Sequence, residues 1–431
     1  MRDLLSSRLI ALLVALVVTW ALALNTGQQL IFNMAYLLSA VLGISYLWAL
    51  LSVRTVEINR FTRARRSQVG QIAEESFEIH NQGRLPKLWL ELEDFSTLPF
   101  HECSQVVSGL RARTRRRWQV RTFCQVRGRF QLGSMILRSG DPLGLFVVEH
   151  AIPATSSMVV YPATVDLPAF SPAVADLSGG EAISRRTHYI TTNVSTVREY
   201  APGDSFNRIH WRSTARTGRL MTKEFELDPT ADVWLFLDLF RGAEVGLPWQ
   251  IQPPQEGIFA LTAGRRREVP LPPVTTEYIV TATASIARHF LARNRAVGLV
   301  SRGQTREIIQ TDRGERQLSK ILETLAVVEA EGRIPFGQLI ATEAVRLSRN
   351  DTILAISADP DPAWARALRE MRRRGVHSTA VVVDGRSFKP GPSYGNLFNE
   401  LEATGIPRYL LRRDQPIDHA LSRQATLADL T

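Results

Sequence analysis

Residues 9–24 read LIALLVALVVTWALAL and residues 30–51 read LIFNMAYLLSAVLGISYLWALL, and neither run holds a charged side chain. A membrane-crossing helix needs about 20 apolar residues at a rise of 1.5 Å each. The second run meets that length, and the first reaches it with Ser6-Ser7 or Asn25-Thr26 at its edges. Neither has the polar stripe at helical period that a soluble core hairpin carries. Ala21-Leu22-Ala23 has the small-x-small form of a signal cleavage site, yet the longer run behind it would still anchor the chain. The expectation is a transmembrane hairpin over residues 1–53, with Trp20, Tyr46 and Trp48 suited to the headgroup zones. Arg2 and Arg8 precede the first run, Arg54, Arg60, Arg63, Arg65 and Arg66 follow the second, and the linker 25–29 is uncharged. The positive-inside rule then places both flanks in the cytoplasm, giving a multi-pass protein of the inner (plasma) membrane with cytoplasmic soluble domains.

Of 431 residues 45% are hydrophobic, so the remainder can fold around real cores. Lys+Arg number 52 against 42 Asp+Glu, a formal charge of +10. That excess is diffuse. Anionic headgroups explain it as well as nucleic acid does, and no nucleic-acid motif accompanies it. Cys103 and Cys124 have neither metal-ligand spacing nor the density of a disulfide scaffold; reduced core residues fit them better than one disulfide.

Residues 54–160 lack long helical periodicity. Short alternating stretches at 71–80, 88–93, 118–125, 130–137 and 143–148, separated by turn signals, predict a β-sandwich-like domain. The arginines 111, 113, 115, 116 and 117 read as a solvated loop. Residues 161–229 form a connector and a distinctive motif region. From 230 to 431 the pattern alternates: buried-strand runs at 233–237, 296–300, 352–356, 378–383 and 408–411, with helical faces between them. These faces are Ile279/Ile286/Ala287/Phe290, Leu318/Ile321/Leu322/Leu325/Val328 and Trp364/Ala367/Leu368/Met371. That alternation predicts a doubly wound, Rossmann-like α/β domain. Arg372–Arg374 read as a helix terminus stopped by Gly375.

The distinctive motif is REYAPGDSFNRIHWRSTARTGRLMTKEFE, residues 198–226. Pro202-Gly203-Asp204 predicts a tight turn, and Asp204 or Ser205 a helix cap. Ile209 and Trp211 are expected to be buried inside a network in which Arg208, His210, Arg212 and Arg216 meet Glu199, Asp204 and Glu224. Such a network would pin the β-rich region to the α/β region. Tyr200, Gly203, Asp204, Arg208, Trp211, Ala215, Arg216, Leu220, Lys223 and Glu224 together resemble the signature of the DUF58 family, a domain of unknown function. Arg127-Gly128, the run DPLGLF at 141–146 and the two-helix anchor resemble it too. The resemblance implies a bacterial or archaeal membrane protein with a von Willebrand factor A-like domain after the signature. It also implies an association with MoxR-type AAA+ ATPases in assembling or maturing other proteins.

Domains of that A-like type often bind Mg²⁺ through an Asp-x-Ser-x-Ser turn after the first strand, because the cation requires hard oxygen ligands. The corresponding turn is Asp238-Leu239-Phe240-Arg241-Gly242, with only the aspartate retained; Asp359 and Asp361 do not replace the missing hydroxyls. Asp238 is thus a degenerate metal-site position, and neither metal nor cofactor is expected. Dinucleotide, P-loop, zincin and nucleophile-elbow motifs are absent from the sequence. Three functional classes follow. The first is a non-enzymatic adaptor presenting its A-like domain to a protein partner, with an AAA+ ATPase as the implied one. The second is a hydrolase-like enzyme built on Asp204 and His210. The third is a nucleic-acid or anionic-lipid binding module.

Overall fold

In the computed structural model the described residues are 7–63, 65–153, 155–172, 194–201, 206, 209–225, 232–253, 269–349 and 351–430. They fall into two compact units. One comprises Met1–Ala163, with Trp249–Leu271 and Leu325–Val327 grouped to it; the other comprises Thr164–Pro248, Pro272–Thr324 and Val328–Thr431.

The first unit begins with helices α1 (Ser7–Thr26) and α2 (Gln29–Arg54), which turn at Gly27 in the left-handed region with φ 66°. Both are long and apolar enough to cross a membrane, and few of their residues are buried. Ten strands follow: β1 (Val56–Thr62), β2 (Arg66–Gln68), β3 (Ile72–Asn81), β4 (Lys87–Asp94), β5 (Gln105–Leu110), β6 (Arg115–Phe123), β7 (Gly128–Leu132), β8 (Met135–Gly140), β9 (Val147–Ile152) and β10 (Ser156–Tyr161). Among the described residues they form sheets ordered β1-β3-β6, β5-β4-β8-β9 and β2-β10-β7. Alternation puts Phe77 and Ile79 of β3 on one face, where they meet Leu90 and Leu92 of β4 and Met135 and Leu137 of β8 in two adjoining apolar clusters. Val53, in the last turn of α2, joins the same core, so the second helix runs directly into the β-rich fold.

Lys87 secures that junction. It is buried, and its ammonium donates to the Leu51 carbonyl at 2.7 Å and to Thr55 Oγ1 at 2.8 Å. A helix leaves its last carbonyls without partners, and here a lysine from β4 supplies the donor.

Three expectations change here. Residues 143–146 do not start a strand, because the Asp141 carboxylate captures the backbone N–H groups of Leu143, Leu145 and Phe146 and holds a turn. The stretch 130–137 is two strands, broken at Gly133 with φ 81°. Arg115–Arg117 belong to β6 rather than to a loop: Glu78 on the paired strand β3 forms ion pairs with Arg115 and Arg117, and this cross-strand charge match favours the strand. Cys103 and Cys124 are both buried free thiols.

The second unit contains β11 (Val194–Glu199), α3 (Trp211–Thr217), β12 (Met221–Phe225), β13 (Val233–Leu237), α4 (Thr275–Ala292), β14 (Val297–Arg302), β15 (Arg306–Asp312), α5 (Glu315–Val327, less its last three residues), α6 (Phe336–Glu343), β16 (Thr352–Ser357), α7 (Ala363–Arg373), β17 (His377–Val383), α8 (Gly395–Ala403), β18 (Arg408–Leu411) and α9 (Ile417–Ser422). Its main sheet has the order β15-β14-β13-β16-β17-β18, parallel except for the β14–β15 pair. Trp234, Phe236, Ile353, Ala355, Ala380 and Val382 point to one face, where α6, α7 and α8 cover them with Phe336, Trp364, Leu368 and Phe398. Helix α4 packs on β13, β14, β16 and β17, and none of its residues enters that cluster, so it covers the other face. The chain winds from β13 to β14 on one side and returns to β16 on the other. The carboxyl ends of β13 and β16 therefore flank the point at which such sheets usually place a site.

Candidate functional site

The motif region builds a small platform in the second unit. Strands β11 and β12 pair antiparallel, with Arg198 opposite Thr222 and Glu199 opposite Met221. Helix α3 is inserted just before β12. His210 caps it: Nδ1 accepts from the Ser213 N–H at 3.2 Å and lies 2.7 Å from Ser213 Oγ. An accepting Nδ1 leaves the proton of the neutral ring on Nε2. The helix ends at Gly218 with φ 67°, a conformation that glycine adopts without a Cβ penalty. Thr214 Oγ1 accepts from the Met221 N–H at 3.1 Å, and the His210 N–H donates to the Met221 carbonyl at 2.8 Å, tying α3 to β12.

This arrangement reverses the expectation for Trp211. Ile209 is buried, but Trp211 is 67% exposed, and no residue of α3 is buried. The reason is the length of the helix. Seven residues hold both ends through caps and leave no face long enough to pack across Trp211. Arg212, Ala215, Arg216 and Arg219 are exposed on the same helix and its exit, and Phe206 is 70% exposed with its ring 5.8 Å from the half-buried Tyr200. Arg219 contacts Glu199 at 3.5 Å; among the described residues Arg212 and Arg216 form no ion pair. Lys223 is half-buried in β12 opposite Val197. Gly203, Asp204, Ser205, Arg208 and the side chain of Glu224 lie outside the described residues, and with them the expected turn, the proposed Asp204 cap and half of the ion network.

The second locus is the carboxyl end of β13. Asp238 is buried, its Oδ2 accepts from the Ser357 hydroxyl at 2.6 Å, and its Oδ1 accepts from the Phe240 N–H at 2.9 Å. Burial, only partly countered by those bonds, pushes its carboxyl up to about 7. Ser357 Oγ also accepts from the Asp359 N–H, Asp359 from the Asp361 N–H, and Asp361 from the Ala363 N–H at the start of α7. Asp238, Asp359 and Asp361 are thus brought into one chain of turns, with backbone groups as partners. The Phe240 ring occupies the space beside Gly242. A divalent ion would have to displace Ser357 and deprotonate a buried acid, with no hydroxyl ligand from positions 240 or 242.

A third cluster, in the first unit, carries no signal in the sequence. Arg60 of β1 pairs with Glu75 of β3 at 2.6 Å and with Asp94 of β4 at 3.0 Å, all three side chains being nearly inaccessible. His101 Nε2 lies 2.9 Å from Glu75, its Nδ1 2.7 Å from Thr122 Oγ1, and Thr62 donates to Glu75 at 2.7 Å. Burial alone would raise Glu75, but the bonds from His101, Arg60 and Thr62 and the Arg60 charge outweigh it and hold the carboxyl at about 2. Asp94, His101 and Cys103 have ligand-type atoms within 4.8 Å of one another. The Arg60 guanidinium already bonds both Glu75 and Asp94 and would repel an added cation, so the cluster is an internal ion network.

A family model described as "Protein of unknown function DUF58" matches residues 196–253, the segment that carries the α3 platform. The chain therefore holds a DUF58-like segment beside two helices of membrane-crossing length. A curated relative, the uncharacterized protein YeaD of Bacillus subtilis (strain 168), is 24% identical over 220 residues, covering 50% of this chain and 47% of the relative; the chain spans about half the length of that protein. Among solved structures, a CARDB domain from Pyrococcus furiosus is 15% identical and covers 25% of this chain and 90% of its own, with a TM-score of 0.19. A complex of zinc 2-glycoprotein and prolactin inducible protein from human seminal plasma is 8% identical and covers 25% and 97%, with a TM-score of 0.20.

Proposed function

We propose that this chain is a membrane-anchored, non-enzymatic adaptor whose second unit docks a protein partner through the α3 platform. One observation carries the reading: Trp211 stands exposed with Arg212 and Arg216 on a helix fixed by caps and by bonds to β12. Tryptophan and arginine are the residues that dominate binding energy at protein interfaces, and a rigid mount reduces the entropy lost on docking. The arginines select an acidic partner surface. The resemblance to DUF58 proteins names a MoxR-type AAA+ ATPase as the partner to test, in assembly or maturation of other proteins.

The order of the six-stranded sheet, with Asp238 ending its central strand, supports reading the second unit as von Willebrand factor A-like. The sharing of one core by two antiparallel sheets supports a sandwich-like first unit. The flanking arginines support an N-in, C-in hairpin with cytoplasmic units. In this reading the Asp238 end is a sealed relic of an ion site. His210 is a cap whose Nδ1 is committed to Ser213, which disfavours the hydrolase alternative.

The test is quantitative co-purification of an AAA+ ATPase with the detergent-solubilised chain. Trp211→Ala and Arg216→Glu should each cut recovery severalfold while leaving the melting temperature unchanged. Unchanged recovery in both variants overturns the docking role. Turnover of a substrate that His210→Ala abolishes at native stability would favour the enzyme instead.

A further inference from the structure

The turn Asp141-Pro142-Leu143-Gly144-Leu145-Phe146 takes no part in the proposed docking, and its surroundings are unusual for a water-facing turn. Leu145 is buried in a cluster with Leu9 and Leu42, flanked by Leu12, Leu16 and Phe146. The Phe146 ring meets the Tyr46 ring edge-on at 5.5 Å. A Cβ added at Gly144 would lie 4.0 Å from Arg8 Nη1. These partners belong to the two apolar helices, and they fix the level of the turn along them.

That level is the edge of the hydrocarbon. From Leu9, the first apolar residue after Arg8, to the turn at Gly27 the helix rises roughly 27 Å, close to the thickness of a hydrocarbon core. Helix α1 has 20 residues and α2 has 26, so α2 runs 26 − 20 = 6 residues past the start of its antiparallel neighbour. In that extension Ala49, Ser52 and Val53 are buried by protein. The boundary therefore passes near Leu9 on one helix and Tyr46 on the other, where Leu145 and Phe146 pack.

The backbone of the turn is built for that place. Asp141, itself buried, accepts the N–H of Leu143 at 2.9 Å, of Leu145 at 2.8 Å and of Phe146 at 2.7 Å. The Gly144 N–H donates to the Asp141 carbonyl and the Asp141 N–H to the Phe146 carbonyl, while Pro142 has no N–H. Every N–H from 141 to 146 is paired internally, so the turn brings no unpaired backbone donor to the lipid. At the tip Leu143 is 54% exposed, and Val147 beyond it is also exposed.

We infer that this turn is a third membrane contact, a wedge that seats Leu143 among the headgroups and upper acyl chains of the bilayer crossed by α1 and α2. It rests on the reading of those helices as spans. With α2 continuing into the core beside Lys87, the wedge gives the first unit a second point of support and sets its tilt on the bilayer.

The experiment places one cysteine at a time in the full chain, Leu143→Cys, Leu37→Cys on α2 and Glu102→Cys on the exposed surface near β5, labelled with a polarity-sensitive fluorophore. The native thiols are buried, and unlabelled wild type gives the blank. In vesicles of phosphatidylcholine and phosphatidylglycerol, the label at 143 should respond to a lipid-borne spin-label quencher as the one at 37 does, and resist iodide severalfold more than the one at 102. Iodide quenching at 143 equal to that at 102, with 37 quenched from the lipid, overturns the wedge alone. Absence of lipid quenching at 37 overturns the spans and the wedge together.

Discussion

Replacing Glu75 with glutamine tests whether the buried ion network holds the first unit together. The Glu75 carboxyl is held at about 2 instead of its ordinary 4.5, and at 1.36 kcal/mol per unit that difference is worth about 3 kcal/mol of folding free energy. The figure matches the few kcal/mol expected when one member of a buried pair is removed and Arg60 is left without its anion. Because the folded value is depressed, the contribution is complete above the unfolded value near 4.5 and is lost as pH falls towards 2. Cys103 reports on it directly. Its thiol is buried beside the network, and burial pushes it far up, so it reacts only when the unit opens. At pH 7 Glu75→Gln should raise the native-state alkylation rate of Cys103 roughly a hundredfold, the population change that about 3 kcal/mol produces. Cys124, buried in a different cluster of the same unit, should accelerate in parallel if opening is global. A Cys103 rate that stays near the wild-type value would refute the assignment of the network as a stabilising element.

Three further outcomes follow from the same geometry. Lys87→Met keeps the buried volume but leaves the Leu51 carbonyl without its donor, which should cost about 1–3 kcal/mol and broaden spin-label distances between α2 and β4. Asp238 has a raised folded value, about 7, so the fold favours its protonated form and stability falls as pH climbs from the unfolded value of 3.8 towards 7; Asp238→Asn should flatten that slope in melting curves, and calorimetry should detect no millimolar Mg²⁺ binding that the variant removes. Trp211→Ala should leave the melting temperature within a degree or so of wild type, because an exposed side chain leaves no cavity.

What was legible in the sequence depended on whether the cause of a feature was local. The two uncharged runs and the strand Val233–Leu237 are set by their own composition, and the helices around Ile286 and Trp364 by their own periodicity. Strand β15 (Arg306–Asp312) was not legible, since an edge strand with charged ends carries no continuous apolar run. The cluster of Arg60, Glu75, Asp94 and His101 escaped because its members come from separate strands and turns and meet only through the pairing of β1 with β3 and the packing of a second sheet. Charged residues alternating along a strand read as a solvated face, and here one of those faces is inside. Trp211 misled in the opposite sense. Tryptophan is usually covered, yet a seven-residue helix capped at both ends has nothing to cover it with. The stretch 143–148 reads as strand by hydrophobicity, and the carboxylate of Asp141 turns its first four residues instead.

The docking claim is tested most directly by placing a photo-crosslinking phenylalanine analogue at Trp211 in the full-length chain in its native membrane. A second copy of the experiment places it at Val345, an exposed apolar position elsewhere on the second unit. Position 211 should give an ultraviolet-dependent adduct with an AAA+ ATPase, absent from position 345 and lost when Arg216→Glu is added. No adduct at 211, or equal adducts from both positions, would contradict the docking claim.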